Sequence, residues 1–263
     1  MVTIQKYVKV QSLDEAYELN QNKNNCIIGG MLWLKMGNKN ISTAIDLCNL
    51  GLDTIEESDD EFSIGAMVTL RQLENHAGLN SFTNDAIRSS VKDIVGVQFR
   101  NMATVGGSIW SRFGFSDVLT MFMAMDSYVQ LYKGGLIPLK DFAKMDYDKD
   151  ILVRLIVKKT PGKYIYKASR AQRTDFPVIA CALSMINGKY QLAVGARPNK
   201  AVLTIDADNI LAGGINEESA KAFAKFAADN TPAFSNSRAS GEYRTHLIEV
   251  LTYRCLMEMG GLE

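Results

Sequence analysis

Two apolar segments, each running into a pair of adjacent glycines, place the tightest constraint on how this 263-residue chain can fold. Glycine lacks Cβ, so each pair permits a positive φ and lets the backbone approach a ligand closely. Successive amides in such loops can converge on an anion, and two loops together suit the two phosphates of a dinucleotide. The alternative is that both are ordinary turns. The segments are Ile27-Ile28-Gly29-Gly30-Met31-Leu32 and Thr104-Val105-Gly106-Gly107-Ser108.

The order of predicted elements indicates an α+β fold, because strands and helices do not alternate regularly as in a doubly wound sheet. A G-x-G-x-x-G fingerprint is missing from the sequence, so a Rossmann site is not supported. The pattern divides the chain into three blocks, 1–53, 54–160 and 161–263. Each is long enough to contribute to a hydrophobic core.

Local signals predict individual elements within these blocks. Capping boxes at Ser12 and Thr69 predict helices that begin directly after them. A further helix is predicted over 85–94, and residues 98–109 read as a structured loop. Asn187-Gly188 predicts a type I′ hairpin. The closing helix, 242–259, carries residues at intervals of four that predict one apolar stripe: Tyr243, Leu247, Leu251 and Cys255.

The charge balance argues against several classes of protein. Lys plus Arg and Asp plus Glu both number 29, so nothing draws the chain to nucleic acid or to an anionic membrane. The sequence start has no apolar core typical of a secretion signal, and no apolar run approaches the roughly 18 residues of a membrane span. A cytoplasmic location is expected.

Cysteine and histidine usage argues against a metal centre in this chain. The four cysteines are widely spaced, without any C-x-x-C pair, which disfavours zinc-ribbon and Fe–S ligation. Cys181 and Cys255 lie in apolar stretches and are predicted to be buried thiols. Only His76 and His246 are present, and they are far apart.

Several collinear segments resemble the signature of the FAD-binding subunits of the molybdopterin dehydrogenases, the xanthine dehydrogenase or molybdenum hydroxylase family. Residues 98–109, QFRNMATVGGSI, with Ser116-Asp117 and residues 124–127, are similar to Q-I-R-N-x-A-T-x-G-G-N-I…S-D…A-L-D-A. Residues 64–70 resemble I-G-A-x-V-T-L, and the first glycine loop resembles A-G-G-T/H-D/S-L-L. Residues 167–170 and 240–244 resemble markers of that family's C-terminal domain.

The resemblance implies a vanillyl-alcohol-oxidase (PCMH)-type FAD-binding domain over 1–160, with α+β subdomains at about 1–53 and 54–160. A small α+β C-terminal domain over 161–263 would follow. Asp117, with Ser116 alongside, would hydrogen-bond FAD hydroxyls, and Lys167 would lie near the flavin. The alternatives are that Asp117 complements its helix dipole and that Lys167 is a solvated surface lysine. The two loops would hold the pyrophosphate through Ile27, Ile28, Gly29, Gly30, Met31, Leu32, Thr104, Val105, Gly106, Gly107 and Ser108.

Departures from the family pattern concern the details of the FAD contact. Met31-Leu32 replaces a polar pair, so only amides can serve there, and Ser108 replaces Asn while keeping a hydroxyl. Gly114 stands where a proline is common. Trp33 and Trp110 flank the two loops, and each either borders the flavin or belongs to the core. Because His and Cys are not placed beside the loops to form a flavin link, the FAD is predicted to be non-covalent.

A basic stretch from Arg154 to Arg173 contains seven Lys and Arg residues before the next acid, although the whole chain is neutral. One interpretation is a pair of strands whose solvated lysines guard a sheet edge. The other is a local positive field facing FAD or NAD phosphates or an acidic partner.

The resemblance implies an oxidoreductase subunit that transfers electrons. It would accept them from a small [2Fe–2S] subunit, beside a large molybdopterin-binding subunit, and pass them to NAD+ or another acceptor while the complex hydroxylates a purine or similar heterocycle. Flavin suits this task because it joins one-electron and two-electron carriers. The alternatives are a stand-alone flavin oxidase or reductase of the same fold and a cofactor-free scaffold.

Overall fold

The computed structural model describes residues 1–262 and contains three sheets with their helices. The first sheet is parallel, in the order β1-β3-β2. Ser12 caps α1 by accepting a hydrogen bond from the Glu15 amide, and Glu15 itself accepts from the Gln11 amide rather than closing a reciprocal box. The elements are β1 (Thr3–Lys9), α1 (Leu13–Asn20), β2 (Cys26–Ile28) and β3 (Asn40–Asp46).

The second sheet is antiparallel, in the order β4-β5-β8-β6-β7. Its strands are β4 (Ile55–Glu57), β5 (Glu61–Gly65), β6 (Ser127–Leu131), β7 (Gly135–Pro138) and β8 (Leu152–Lys158). Seven short helices accompany it: α2 (Leu70–Asn75), α3 (Ala77–Phe82), α4 (Ala86–Val91), α5 (Val97–Arg100), α6 (Val105–Trp110), α7 (Asp117–Met123) and α8 (Leu139–Phe142).

The third unit is an antiparallel sheet in the order β12-β11-β10-β9, covered on one face by two helices. Asn187 and Gly188 both have positive φ, 50° and 75°, which confirms the predicted type I′ hairpin. The elements are β9 (Gly162–Arg170), β10 (Pro177–Ile186), β11 (Lys189–Gly195), β12 (Val202–Ile205), α9 (Glu217–Asp229) and α10 (Gly241–Gly260).

The second sheet with α2 to α8 is the second unit, and the third sheet with α9 and α10 is the third unit. The largest hydrophobic core is shared between these two units. Tyr164, Tyr166 and Ala182 of the third sheet are buried in the same cluster as Phe62 and Phe122 of the second. The opposite face of the third sheet packs against α9 and α10 in a separate core. The mixture of sheets and helices confirms the predicted α+β class.

Two local predictions were wrong, and a third gave a helix longer than the structure has. Residues 98–109 are not a loop, because they contain α5 and α6, and α6 starts where the Thr104 side chain caps it. The helix predicted over 85–94 spans only Ala86–Val91. Tyr243 is half exposed, and the buried guanidinium of Arg244 occupies that turn of α10, where it donates to the carbonyls of Val178 and Ala196.

Within residues 1–262, no helix combines the length and the apolar character that a membrane span requires. The longest, α10, has 20 residues and carries charged side chains along its exposed side.

Candidate functional site

The first glycine loop leaves main-chain donors unused. It follows directly from β2, where Ile27 and Ile28 pair with β3. Within residues 1–262, the amides of Gly29, Gly30, Met31 and Leu32 donate no hydrogen bond. Unpaired amides in one loop form a concave donor surface that suits an anion such as phosphate.

The left-handed conformation in this loop lies at Met31 (φ 58°) and not at either glycine. The positive φ that the glycine pairs permit is not used, because Gly29, Gly30, Gly106 and Gly107 all have negative φ. A non-glycine residue at positive φ is strained and persists only where the surroundings hold it.

The glycines instead permit close contact between the two loops. A Cβ on Gly30 would lie 1.8 Å from the Met102 carbonyl oxygen, and one on Gly29 would lie 2.7 Å from Thr104 Oγ1. A Cβ on Gly106 would lie 2.6 Å from the carbonyl oxygen of Ala66. Any side chain at these positions would force the segments apart, so the structure brings together the two loops that the sequence analysis selected.

The second glycine segment is the first turn of α6, and its amides already have partners. Val105 and Gly106 donate to the carbonyls of Val68 and Ala66, both at 2.8 Å, and the Gly107 amide donates to Thr104 Oγ1 at 3.1 Å. Ser108 donates its hydroxyl to the Thr104 carbonyl. The two loops therefore differ within the described residues, since the first has four consecutive unused amides, whereas the amides from Val105 to Ser108 all have partners.

Ser116 and Asp117 begin α7 beside the second loop. Ser116 Oγ donates to the Ser108 carbonyl at 3.0 Å and accepts from the Leu119 amide at 3.1 Å, so it ties α7 to the end of the loop. Asp117 is 5% exposed and stands in the first turn of α7, where a carboxylate complements the helix dipole.

The Asp117 carboxylate joins the second and third units. Its Oδ1 accepts from the Tyr166 hydroxyl and from Arg170, whose Nη2 is 2.8 Å away. Its Oδ2 makes no hydrogen bond within the described part of the chain. Burial raises the pKa of the Asp117 carboxyl, while the Arg170 charge and the hydrogen bonds from Tyr166 and Arg170 act in the opposite direction. Sequence reasoning missed Tyr166 and Arg170, although the alternation along β9 from Tyr164 indicates that both share one face.

Lys167 lies on the other face of β9, turned away from the second unit. There its ammonium group pairs with Glu258 of α10. Strand alternation places Tyr166 and Ala168 toward the shared core and Lys167 toward the helices. Its predicted place near the flavin stays a prediction, and Arg170 is the cation of β9 that pairs with Asp117 of the second unit.

Four rings form an aromatic cluster at the end of the first loop: Trp33, Phe113, Phe115 and Phe176. Trp33 is 45% exposed, whereas Trp110 is partly buried and packs on Phe142. The two tryptophans that flank the loops therefore differ, because Trp110 packs against the core and Trp33 is half exposed directly after the first loop.

The basic stretch is neutralised by acids from distant segments. Strand β8 is the central strand of its sheet, so the interpretation that its solvated lysines guard a sheet edge was wrong for β8, whereas β9 is an edge strand. Lys163 donates to the Met259 carbonyl. The ion pairs are Arg154–Glu56, Lys158–Glu61, Lys159–Glu57, Lys167–Glu258, Arg170–Asp117 and Arg173–Asp93.

A separate surface pocket of about 530 Å³ lies at the start of α2. Thr69, Arg71 and His76 are among its lining residues, and none of the predicted loop residues lines it. His76 is already engaged there, because its Nδ1 accepts from the Leu79 amide and caps α3.

The fold of this chain matches that of a chain in a solved structure. Reconstituted carbon monoxide dehydrogenase from Oligotropha carboxidovorans contains a chain that superposes with a TM-score of 0.88, at 19% identity, over 99% of both chains. At this level of identity the likeness shows a common fold: a glycine-loop domain of two α+β parts followed by a smaller C-terminal unit.

Sequence comparisons then identify the family. The FAD-binding domain of molybdopterin dehydrogenases matches residues 2–159, and the C-terminal domain of carbon monoxide dehydrogenase flavoproteins matches residues 164–259. This chain belongs to the FAD-binding subunits of the molybdopterin dehydrogenase family, which confirms the resemblance drawn from the motifs.

Relatives align along most of the chain. It is 23% identical to the glyceraldehyde dehydrogenase medium chain of Sulfolobus acidocaldarius, covering 96% of this chain and 97% of the relative. It is 24% identical to the xanthine dehydrogenase FAD-binding subunit of Escherichia coli O157:H7, covering 76% and 74%.

The residues present fit FAD. Four unused amides in the first loop are available to an anion, and the glycines let that loop pack closely against the second loop. Polar groups at Ser108, Ser116 and Asp117 lie along one edge of α6 and the start of α7. The arrangement can therefore bind a diphosphate and hydroxyl groups without supplying a lysine or arginine to the phosphates.

Proposed function

We propose that this chain is the electron-transfer subunit of a molybdenum hydroxylase, taking electrons from a small [2Fe–2S] subunit and passing them to a soluble acceptor. A large molybdopterin-binding subunit would complete the complex. The observation that carries the proposal is the set of unused amides in the first glycine loop of a chain that belongs to this flavoprotein family.

FAD would contact the first glycine loop, the first turn of α6 and the start of α7. The amides from Ile28 to Leu32 hold the pyrophosphate, and the turn from Thr104 to Ser108 forms the facing wall. Asp117 keeps one carboxylate oxygen, Oδ2, for an FAD hydroxyl, while Oδ1 remains paired with Arg170. Such preorganised donors bind a phosphate without reorganising the backbone.

The chain's own contribution to the chemistry is positional and electrostatic. FAD, when bound, supplies the capacity to take up electrons singly or in pairs. Cys181 and Cys255 are fully buried in the helix-covered core, and burial raises the pKa of Cys181 to about 12, so neither thiol is presented for ligation or attack.

We further propose NAD+ as the acceptor, a purine or similar heterocycle as the substrate of the complex, and a cytoplasmic location. Relatives that align over most of this chain carry names with different substrates, glyceraldehyde and xanthine. This variety supports the view that the molybdenum subunit determines the substrate.

Non-covalent attachment of FAD is tested by acid precipitation. Because neither the first loop nor the α6 turn places a His or Cys next to the unused amides, all yellow colour should appear in the supernatant. Flavin that stays with the precipitate would contradict this part of the proposal.

The relay is tested by reconstitution. Partner subunits without this chain should oxidise substrate with an artificial dye but should not reduce NAD+, and adding the FAD-loaded chain should restore NAD+ reduction. The interface should bury at least the roughly 1,200–2,000 Å² of stable complexes. Oxidation of the heterocycle by the isolated chain would overturn the relay in favour of a stand-alone oxidase.

A further inference from the structure

The aromatic cluster has an open face beside the unused amides. The Trp33 ring lies 5.5 to 6.0 Å from the rings of Phe113, Phe115 and Phe176, and Phe113 stacks on Phe115 at 5.1 Å and 19°. Trp33 is 45% exposed and Phe113 is 39% exposed. Grouped rings that remain exposed, unlike scattered single ones, mark a binding surface.

The cluster joins three separate parts of the fold. Trp33 follows the first loop, Phe113 and Phe115 lie between α6 and α7, and Phe176 lies in the turn between β9 and β10. Arg238 fixes Phe176 from the far side, with its guanidinium carbon 5.0 Å from the ring centre and an ion pair to Asp175 at 2.8 Å. The rings are therefore held in place from several directions.

Buried contacts also fix the Phe113 segment. The neighbouring Arg112 has a positive φ of 46°, is 3% exposed and lies 3.8 Å above the Phe142 ring. Its Nε donates to the Phe142 carbonyl. The backbone that presents Phe113 is thus held by a buried guanidinium, and a rigid ring costs little conformational entropy when it binds a ligand.

Chain spacing relates the cluster to the amides. Trp33 directly follows the unused amides of Gly29 to Leu32, so its Cα lies at most about 10 Å along the chain from Gly30. In FAD a short ribityl chain separates the pyrophosphate from the isoalloxazine ring. A diphosphate bound at these amides therefore leaves its ring system within reach of the cluster.

We propose that Trp33, supported by Phe113, Phe115 and Phe176, is the contact surface for the isoalloxazine ring of FAD. This inference rests on the proposed FAD site and adds to it a positioning residue for the reactive ring. Aromatic pairs prefer offset or tilted arrangements with centroids 4.5–7 Å apart, and the exposed indole face offers such a contact to a flat, electron-poor ring. Indole in contact with oxidised flavin quenches flavin emission, which gives a readout independent of enzyme activity.

The experiment compares Trp33→Leu, Trp33→Phe and the control Phe234→Leu in the full-length chain. Phe234 is 45% exposed, like Trp33, but lies outside the cluster. FAD content after desalting, the dissociation constant for FAD and the emission of bound flavin are measured for each. Trp33→Leu should weaken FAD binding about 3- to 10-fold and raise the emission per bound flavin.

The Trp33→Phe variant distinguishes the effect of a ring contact on FAD affinity from the effect of indole on flavin emission. It should keep the affinity within about twofold of wild type, because a ring remains, and still raise the emission, because phenyl does not quench flavin. Phe234→Leu should change neither quantity. Unchanged emission and affinity in Trp33→Leu, with full FAD content, would overturn this inference and leave the FAD site intact. A wild-type protein that binds no FAD would instead overturn the proposed function.

Discussion

At the scale of single residues, the positions within the family-like motifs divide into those at the candidate FAD site and those that stabilise the fold around it. Arg100, inside the QFRN segment, is 5% exposed and does not point to the loop amides. Its Nε donates to Glu74 Oε2 at 2.8 Å and its Nη1 to the Ile94 carbonyl at 3.0 Å. These hydrogen bonds hold α5 against α2 and so position the segment that leads to Thr104.

Replacing Arg100 by Leu should cost about 3–5 kcal/mol of unfolding free energy, because it leaves the buried Glu74 carboxylate without its main partner. Urea denaturation followed by circular dichroism measures the loss. Arg173→Leu removes an ion pair whose arginine is 80% exposed and should leave the urea midpoint close to that of wild type. A loss below about 1 kcal/mol for Arg100→Leu would contradict the structural role.

The same ion pair predicts a pH dependence. Burial alone would raise the pKa of Glu74, but the hydrogen bonds and charges of Arg100 and Arg71 outweigh it and lower this pKa. A lowered pKa means that the stabilisation is complete above the ordinary Glu value of about 4.3 and is lost as the pH falls through the folded-state value. The stability difference between wild type and Glu74→Gln should thus be constant near neutrality and shrink in acid. A difference that grows on acidification would refute the assignment.

Gly30→Ala should abolish FAD retention, because the added Cβ would meet the Met102 carbonyl oxygen at 1.8 Å and push the two loops apart. FAD content after desalting is the measurement. The matched control is Gly213→Ala, whose Cβ meets nothing within 4 Å. Full flavin occupancy in Gly30→Ala would show that the loop contact is not needed for binding.

At the scale of elements, α6 shows how one side chain serves two purposes. Thr104 caps the helix through Oγ1, and the same oxygen faces Gly29 of the first loop. A helix of six residues depends on such a cap, because most of its backbone groups have no intrahelical partner.

Thr104→Val keeps the shape of the side chain but removes the acceptor for the Gly107 amide. We expect a loss of about 0.5–2 kcal/mol in unfolding free energy, measured by urea denaturation. Thr104→Ser, which retains the hydroxyl, should recover most of the loss. Equal stabilities of the Val and Ser variants would show that the cap contributes nothing.

At the scale of the whole molecule, the second and third units share a core and several polar contacts. The Ala124 carbonyl accepts from Ser184 and from Gln191, and Asp117 pairs with Arg170 across the same boundary. Splitting the chain near residue 160 would expose this surface on both sides.

The shared core predicts one cooperative unfolding transition for the intact chain. Tryptophan emission reports on the first 160 residues, since both Trp33 and Trp110 lie there, whereas circular dichroism reports on all helices and strands. The two denaturation curves should coincide. Two separated midpoints would show that residues 161–263 unfold independently of the rest.

The sequence by itself determined the elements whose signals are local. The Thr69 capping box and the Asn187-Gly188 hairpin both appear in the structure, because side chain-to-backbone hydrogen bonds and φ preferences act within a few residues. The motif order also predicted the family, and the family comparisons confirm it.

Tertiary structure alone decided which groups meet across the fold. Nothing near Asp117 in the sequence indicates that Arg170, which lies on a strand of the third unit, neutralises its charge. The sequence also does not show that Lys167 faces α10. Periodicity also could not show that the α6 amides are already satisfied by the carbonyls of Ala66 and Val68. These outcomes depend on strand pairing and on packing between distant segments, which a linear pattern does not encode.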